Sequence, residues 1–390
     1  MLYLSLSTII FIVALVVLYW MHTQAALDIV ATPAPPLPGG PRISVIIPAR
    51  NEEANIQRCV EAVLAQDYPN FEALVLDDRS TDSTPAILTG LSQSDSRLVV
   101  LFGDELPEGW AGKPHALYQA ARAATGEWLC FVDADTFLEP NVLSAALHNA
   151  QKTDADLYTI MTRQIMGTFW EKVILPLVFT AVAIGFSPCK VNDPRKRDAV
   201  ANGQFIFIKR SVYDAVGGHE ALKNQIVEDK ALAEQVKWNG YRLVLADGYN
   251  LAKTRMYTSL PGMWEGWTKN IYLGLKNQPS MLLLGAFGAF VALTATLFMP
   301  IWPLLGVVWY FNSGGFQAAL ALVEALVVWA AMLYARAQVA HAMRISRWYA
   351  LTTPLGAAVF AAMMFVSAWK SLSGQGIQWK GRTYDSNKVR

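Results

Sequence analysis

The chain has 390 residues, 53% of them hydrophobic and 16% charged, where an average soluble domain carries about 25% charged residues. Its 32 basic and 31 acidic side chains leave a net charge of +1, which excludes a global field drawing it to nucleic acid. The length suffices for roughly two or three domain-sized units, and the composition predicts a folded domain joined to membrane segments.

Leu2 to Trp20 form an uninterrupted apolar run, and Asp28 is the first charged residue. At about 1.5 Å per helical residue the run is long enough to cross the hydrocarbon of a bilayer. A secretory signal would open on a basic stretch, and none is present, so residues 1–24 are expected to be an uncleaved anchor. Residues 25–41 are rich in proline and read as an extended, semi-rigid spacer. The folded domain is expected to span 42–275.

Ile43 to Ile47 make a short β-branched run stopped by Pro48, and a helix is predicted from Glu52 to Ala65. Phe71 to Leu76 form a second run, ended by Asp77 and Asp78; Trp128 to Val132 form a third, ended by Asp133, Ala134 and Asp135. Strands alternating with helical stretches predict an α/β class with a mostly parallel sheet, in which ligands bind beyond the carboxyl ends of the strands. Alternation would put Asp133 and Asp135 on one face, and two carboxylates so placed can hold a hard divalent cation that also binds a diphosphate. A second triplet, Asp154, Ala155 and Asp156, precedes an apolar run instead and reads as a solvated turn.

Neither a Gly-x-Gly-x-x-Gly dinucleotide fingerprint nor a Gly-Lys-Ser/Thr phosphate loop occurs; Gly112, Lys113 and Pro114 lack the hydroxyl. A nicotinamide oxidoreductase is thereby disfavoured. Cys59, Cys130 and Cys189 are too widely spaced for a disulfide framework or zinc site and suit a reducing compartment.

Val173 to Phe186 is apolar but too short to span. Within 170–188 it suits an interfacial helix or a buried core helix equally. Transmembrane helices are expected over 276–370, broken near Pro300, Pro303 and the turn from Asn312 to Gly315. Glu324 within them is either a functional intramembrane group or a structural glutamate facing a neighbouring helix. Arg336, Arg344 and Arg347 precede a further apolar segment, about Ala350 to Ala368, and residues 371–390 form a basic tail. Both basic stretches should be cytoplasmic, which one simple span between them would forbid. Either that segment is re-entrant, bent at Pro354, or the preceding stretch crosses differently.

Five motifs in this order resemble family-two glycosyltransferases of the GT-A fold: Ser44 to Glu53, Val75 to Asp82, Gly112 and Lys113 with His115 to Leu117, Asp133 to Asp135, and Val227 to Asp229. The resemblance covers residues 42 to 270. The anchor, Val191 to Arg197 and Trp379 to Tyr384 are most similar to the membrane-bound branch that includes hopanoid-associated and carotenoid (chlorobactene-type) enzymes.

The resemblance implies that Pro48, Glu52, Asp77 and Asp78 line a nucleotide pocket, an aspartate accepting from the uracil N–H. It implies that Lys113 faces the base or diphosphate, that Asp133 lies near ribose and metal, and that Asp135 binds Mg²⁺ or Mn²⁺. Asp229 matches the general base that deprotonates the acceptor in an inverting displacement. From the residues alone, the lesser alternative is that Asp77 and Asp78 satisfy turn amides and that Glu228 and Asp229 are first-turn acids on a helix dipole. Arg195 to Arg197 could hold anionic headgroups or be a solvated basic turn.

Processive members carry a Gln-x-x-Arg-Trp sequence after the base, and Met263 to Lys269 lacks it. Trp264 and Trp267 there could sit at an interface, under the acceptor, or in ordinary packing. The expectation is a metal-dependent, inverting transferase of a single hexose from a nucleotide-sugar donor, UDP-glucose, to a membrane lipid acceptor such as a carotenoid or hopanoid. It would be multi-pass in a bacterial inner membrane with its catalytic domain cytoplasmic. The rivals are a polyprenyl-phosphate sugar transferase, a processive polysaccharide synthase and a non-catalytic membrane scaffold.

Overall fold

The structure is a computed structural model that describes residues 8, 9, 12, 29–185, 187–275, 301–373, 377–379 and 382–384. In chain order the elements begin with β1 (Ile43–Ala49), α1 (Ile56–Leu64), β2 (Phe71–Asp77), α2 (Thr84–Ser92), β3 (Leu98–Phe102), α3 (Gly112–Ala123) and β4 (Trp128–Phe131). They continue with β5 (Thr136–Leu138), α4 (Val142–Lys152), β6 (Leu157–Met161), β7 (Arg163–Gln164), α5 (Phe169–Gly185), β8 (Ile206–Lys209) and α6 (Glu228–Trp238). β9 (Leu243–Asp247), β10 (Ala252–Thr254), α7 (Leu260–Leu275), α8 (Gly315–Ala342), α9 (Thr353–Leu372), β11 (Ile377–Trp379) and β12 (Arg382–Tyr384) complete the series. The chain divides into two compact units: Leu27–Ile165 with Phe186–Met256, and Met166–Gly185 with Tyr257–Tyr384.

The first unit is built on a seven-stranded sheet of order β3-β2-β1-β4-β8-β6-β9. β1 runs parallel to β2 and β4, β2 to β3, and β6 to β9; only β8 opposes its neighbours. The sheet is therefore mostly parallel. Such a sheet is covered on both faces, and β1 divides accordingly: Ile43, Val45 and Ile47 join one core, Ile46 the other. On α1, Ile56, Cys59, Val60 and Val63 are buried, the i, i+3, i+4, i+7 stripe of an amphipathic helix. That helix starts at Ile56 and not at Glu52, because the Glu52 carbonyl accepts from the amides of both Asn55 and Ile56 in a tight turn.

The proline-rich segment is docked on this unit. Val30 bridges Asp247 at the edge of β9, the Ala31 amide donates to the Asp247 carbonyl at 2.9 Å, and the Tyr68 hydroxyl donates to Pro41 O at 2.7 Å. In the second Asp-x-Asp triplet Asp154 is an exposed turn residue, as expected, and Asp156 departs from that expectation. Asp156 Oδ1 lies 2.8 Å from Lys209 Nζ and Oδ2 accepts from the Arg242 amide at 2.9 Å, so the carboxylate ties β8 to the start of β9.

In the second unit α5, α7 and α9 share a core of Val173, Ile174, Leu175, Val178, Met263, Trp267 and Met363. The four residues from α5 are 2% exposed or less, and the helix runs through Pro176. A Cβ on Gly356 would stand 2.7 Å from the Val173 carbonyl, so only glycine lets α9 approach α5 this closely. Trp267 packs perpendicular to Phe179 at 5.8 Å, which is ordinary core packing.

Among the described residues two stretches are long and apolar enough to cross a membrane, Gly315–Ala342 and Arg347–Lys370. The expected break at Asn312 to Gly315 is present, with positive φ at Gly314 and Gly315. Pro354 opens α9 rather than bending it, the helix position that tolerates a missing N–H. Glu324 accepts from the Thr8 hydroxyl at 3.0 and 3.1 Å, the arrangement of a structural glutamate. Apart from residues 8, 9 and 12, the expected N-terminal anchor lies outside the described residues, as do 276–300 and most of the basic tail.

Candidate active site

The sheet order places a reversal between β1 and β4: the chain steps outward from β1 to β2 and β3, then returns to the opposite side as β4. A crevice outside the carboxyl ends of parallel strands at such a point is where open α/β sheets bind ligands. β1 runs through Pro48, where the sequence run is expected to stop, and ends at Ala49; beyond the end of β4 the Val132 amide donates to the Ile46 carbonyl at 3.0 Å. Pro48, Lys113, Asp133, Gly203, His219 and Glu228 all line one pocket at this position.

On the β2 side, the loops after β1 and β2 are laced together. Asn51 Oδ1 accepts from the Thr81 amide at 2.8 Å, the Glu53 carboxylate from the Ser83 amide at 3.0 Å, and the Glu52 amide donates to Thr84 Oγ1 at 2.9 Å. Asn51 and Arg79 both adopt positive φ, 52° and 56°, and non-glycine residues in that region cluster where surrounding structure imposes them. The lacing fixes Asp77 and Asp78, 3% and 6% exposed. Asp78 faces Arg50, 3.8 Å away. Asp77 Oδ2 accepts from the Ser80 amide at 3.3 Å, as the turn reading anticipates, but its buried Oδ1 has no hydrogen-bond partner among the described residues.

β4 ends at Phe131, so Asp133, Ala134 and Asp135 form a turn and not a strand end. The expectation that strand alternation aligns the two carboxylates is corrected; the turn positions them. Their field, with that of Glu52, reaches Cys59, whose thiol burial pushes far up and Asp135, Asp133 and Glu52 push further. All three predicted acids therefore act on one buried thiol of α1.

Lys113 stands in the first turn of α3, where a cation is unfavourable against the helix dipole. Two carboxylates compensate: Nζ lies 2.7 Å from Asp133 Oδ1 and 2.6 Å from Glu228 Oε1. Burial opposes the charged amine, and Asp133, Glu228 and Asp229 together outweigh it, raising its pKa well above the ordinary value. The lysine thus joins the end of β4 to the start of α6.

Asp229 follows Glu228 in the first turn of α6. Its Oδ2 accepts from the Gly203 amide at 3.1 Å and its Oδ1 from the Lys230 amide at 2.7 Å. Burial, then Glu228, raise its pKa to about 6, while Lys113 pulls against them. A carboxyl poised near neutrality beside a pocket is suited to proton transfer. The Asn202 to Gln204 loop that carries Gly203 is itself held: Asn202 Nδ2 donates to the Ile160 carbonyl at 2.8 Å and Gln164 Nε2 to Gln204 Oε1 at 3.1 Å.

His219 is 2% exposed, with Nδ1 2.9 Å from the Tyr213 hydroxyl. Burial and the nearby Lys113 lower its pKa to about 3, so it faces the pocket as a neutral ring. Gly217 and Gly218, at φ 82° and 50°, turn the chain to present it.

Among the described residues no three His, Cys, Asp or Glu side chains are grouped closely enough to hold a metal unaided. The donor chemistry of Asp133 and Asp135 still fits Mg²⁺ or Mn²⁺, which are commonly held by one or two carboxylates with the remaining positions filled by water and substrate phosphates. Arg195 pairs within its own turn, its Nε 3.0 Å from Asp193 Oδ1, and the Arg195 side chain is 86% exposed, as a solvated basic turn would be.

Pro48, Lys113 and Asp133 thus share a pocket, Asp229 adjoins it through Gly203, and Asp77 and Asp78 lie one strand away. Gly203, His219 and Glu228 were not singled out from sequence as site residues. Each had a local signal: a glycine opening an apolar strand, a Gly-Gly-His turn, and an acid beside Asp229.

Residues 44–217 match the family model described as Glycosyl transferase family 2 and form a domain of that family. The chain is 26% identical over 351 residues, 89% of each protein, to a 4,4'-diaponeurosporenoate glycosyltransferase of Staphylococcus aureus strain MRSA252, and 25% identical over the same length to that of strain USA300. Among solved structures, the mannosyltransferase PcManGT from Pyrobaculum calidifontis, in complex with GDP-Man and Mn²⁺, superposes with a TM-score of 0.55 at 19% identity, over 96% of this chain and 99% of that one. That likeness shows a GT-A-like fold.

Proposed function

Starting from the family 2 domain, we propose that this protein is an inverting, metal-dependent transferase of a single hexose from a nucleotide sugar, UDP-glucose, to a membrane lipid. The observation that carries the reading is Asp229, a carboxyl raised to about 6 beside the pocket that Lys113, Asp133 and Glu228 line.

Asp77 Oδ1, buried and without a partner among the described residues, is suited to accept the N–H of a uracil, which would repay its desolvation. Lys113 screens the acids of the pocket from one another and offers a cation to the donor diphosphate. Asp133 and Asp135 would hold Mg²⁺ or Mn²⁺, which when bound would neutralise the charge that develops on the leaving diphosphate. Asp229 would take the proton of an acceptor hydroxyl as its oxygen attacks the anomeric carbon from the opposite face. A single displacement inverts that centre.

The named relatives glycosylate a carboxylate, 4,4'-diaponeurosporenoate. A carboxylate acceptor is already ionised at neutral pH and needs no base, so a carotenoid acid is the second reading that a specific observation favours. The two apolar helices support a bilayer setting, with an acceptor entering from lipid.

The test is transfer of radiolabel from a panel of UDP-sugars into extracted bacterial lipids by the full chain with Mn²⁺ or Mg²⁺, beside Asp135→Ala and Asp229→Asn. Label in lipid that is lost in both variants supports the hydroxyl reading. Label that survives Asp229→Asn but not Asp135→Ala supports the carboxylate reading. Transfer only to water-soluble acceptors sinks the lipid assignment.

A further inference from the structure

The backbone before His219 is shaped around one tyrosine. Gly218 has φ 50°, a left-handed value that glycine adopts without strain, and a Cβ there would stand 2.6 Å from Cε1 and Cζ of Tyr213. Only glycine therefore lets the tyrosine ring lie against this backbone and bring its hydroxyl to His219. That hydroxyl makes two contacts, 3.1 Å to the His219 amide and 2.9 Å to Nδ1 of its ring.

The two contacts fix the tautomer. The amide can only donate, so it takes a lone pair of the hydroxyl oxygen. The hydroxyl hydrogen then has one acceptor among the described residues, Nδ1. A neutral imidazole whose Nδ1 accepts carries its hydrogen on Nε2, and burial with Lys113 keeps this ring neutral. The ring is 2% exposed and lines the pocket, and its Nε2 has no hydrogen-bond partner among the described residues. Leaving such a donor unmet is costly, so the pocket favours a ligand that supplies an acceptor.

Size and place select that ligand. The pocket that His219 shares with Lys113, Asp133, Gly203 and Glu228 encloses about 10 Å³, room for one water-sized group. A phosphate is too large for it; a hydroxyl is not. A hydroxyl needs both a donor and an acceptor. Lys113 Nζ is already engaged by Asp133 and Glu228, so Nε2–H supplies the donor and a carboxylate oxygen the acceptor. On the transferase reading, on which this inference rests, Asp133 marks the diphosphate side and Gly203 holds the base. The group between them belongs to the sugar being transferred.

We propose that His219 is a specificity-determining residue, its Nε2–H donating to one hydroxyl of the donor's hexose, and that Tyr213 is the positioning residue that holds the ring in this tautomer.

Binding of UDP, of a panel of UDP-hexoses, and of single-deoxy analogues of the hexose bound most tightly is measured calorimetrically with Mn²⁺. Full-length wild type is compared with His219→Phe, His219→Gln and Tyr213→Phe, each checked by a melt. Wild type is expected to bind one deoxy analogue about tenfold more weakly than the parent sugar nucleotide, the worth of about one hydrogen bond. His219→Phe should bind the parent about tenfold more weakly than wild type and no longer distinguish that analogue, with UDP affinity within about twofold. His219→Gln, which keeps an N–H donor, should recover most of the discrimination. Tyr213→Phe frees the ring hydrogen to move to Nδ1 and should lose about threefold of the discrimination; it decides the matter if the phenylalanine variant at 219 does not fold. Unchanged discrimination in His219→Phe or Tyr213→Phe overturns the proposal. So does an equal loss for UDP and the sugar nucleotide, which would put the contact on the ribose or in the fold, and so does a wild type indifferent to every deoxy analogue, which would leave a water in that place. Those outcomes fail this site alone, whereas a wild type that binds UDP but no UDP-hexose fails the transferase reading and the site with it.

Discussion

Gly203 and Asp229 meet so closely that a Cβ on the glycine would stand 2.9 Å from Asp229 Oδ2 and 3.4 Å from its Cβ and Cγ. The glycine amide donates to that same oxygen, so the contact both orients the carboxylate and leaves no room for a methyl group.

Gly203→Ala should therefore push Asp229 from its position while leaving the sheet intact. A displacement near 1 Å at a catalytic group costs about 100-fold in rate. We expect kcat to fall by roughly that factor, with KM for the donor within about threefold and the melting temperature nearly unchanged. A steep loss of stability with normal kcat in the folded fraction would show that the contact is only structural.

The pH dependence follows from the same residue. Asp229 acts as a base only when ionised, so with a hydroxyl acceptor kcat should rise with pH through about 6, its raised pKa. The linkage sign is opposite for stability. Between the ordinary value of 3.8 and about 6 the folded chain holds a proton that the unfolded chain has released, so this group's contribution to stability falls as pH rises through that window. Asp229→Asn should remove both dependences. A rate that stays flat from pH 5 to 8 in wild type would argue against the base.

Lys113 lowers the Asp229 pKa and compensates Glu228, which is 5% exposed. Lys113→Met should move the acidic limb of the rate profile upward and cost about 1–2 kcal/mol, less than a fully buried pair because the lysine side chain remains 38% exposed. Denaturant melts at pH 7 and a rate profile from pH 5 to 9 measure the two effects separately.

The parallel sheet was legible in the sequence because both faces of β1, β2 and β4 are buried, which makes each a mainly apolar run, interrupted only by Ser44 in β1 and Glu72 in β2, with a proline or aspartate at or just beyond its carboxyl end. The acids were legible because they stand where those runs stop. What could not be read was how distant segments cross. The Lys113 to Glu228 pair joins residues 115 positions apart, and the Gly203 amide reaches Asp229 from 26 positions away; neither leaves a periodic trace. The docking of residues 29–32 escaped for a related reason: proline content reports local extension, not whether the extended chain pairs with β9.

The two Asp-x-Asp triplets give the sharpest contrast, since sequence pattern alone makes them alike. Asp156 bonds Lys209 and the Arg242 amide, so Asp156→Ala should leave two donors of the sheet unmatched and cost about 1–3 kcal/mol, with kcat of the folded protein within twofold. Asp135 is on the β4 turn beside the pocket acids, so Asp135→Ala should lower kcat at least about 100-fold and abolish Mn²⁺-dependent UDP binding with little change in melting temperature. Calorimetric titration of UDP with and without Mn²⁺, run beside melts of both variants, separates them. The assignment fails if Asp135→Ala keeps metal-dependent binding, because the ion would then be held at the donor diphosphate by groups other than Asp135.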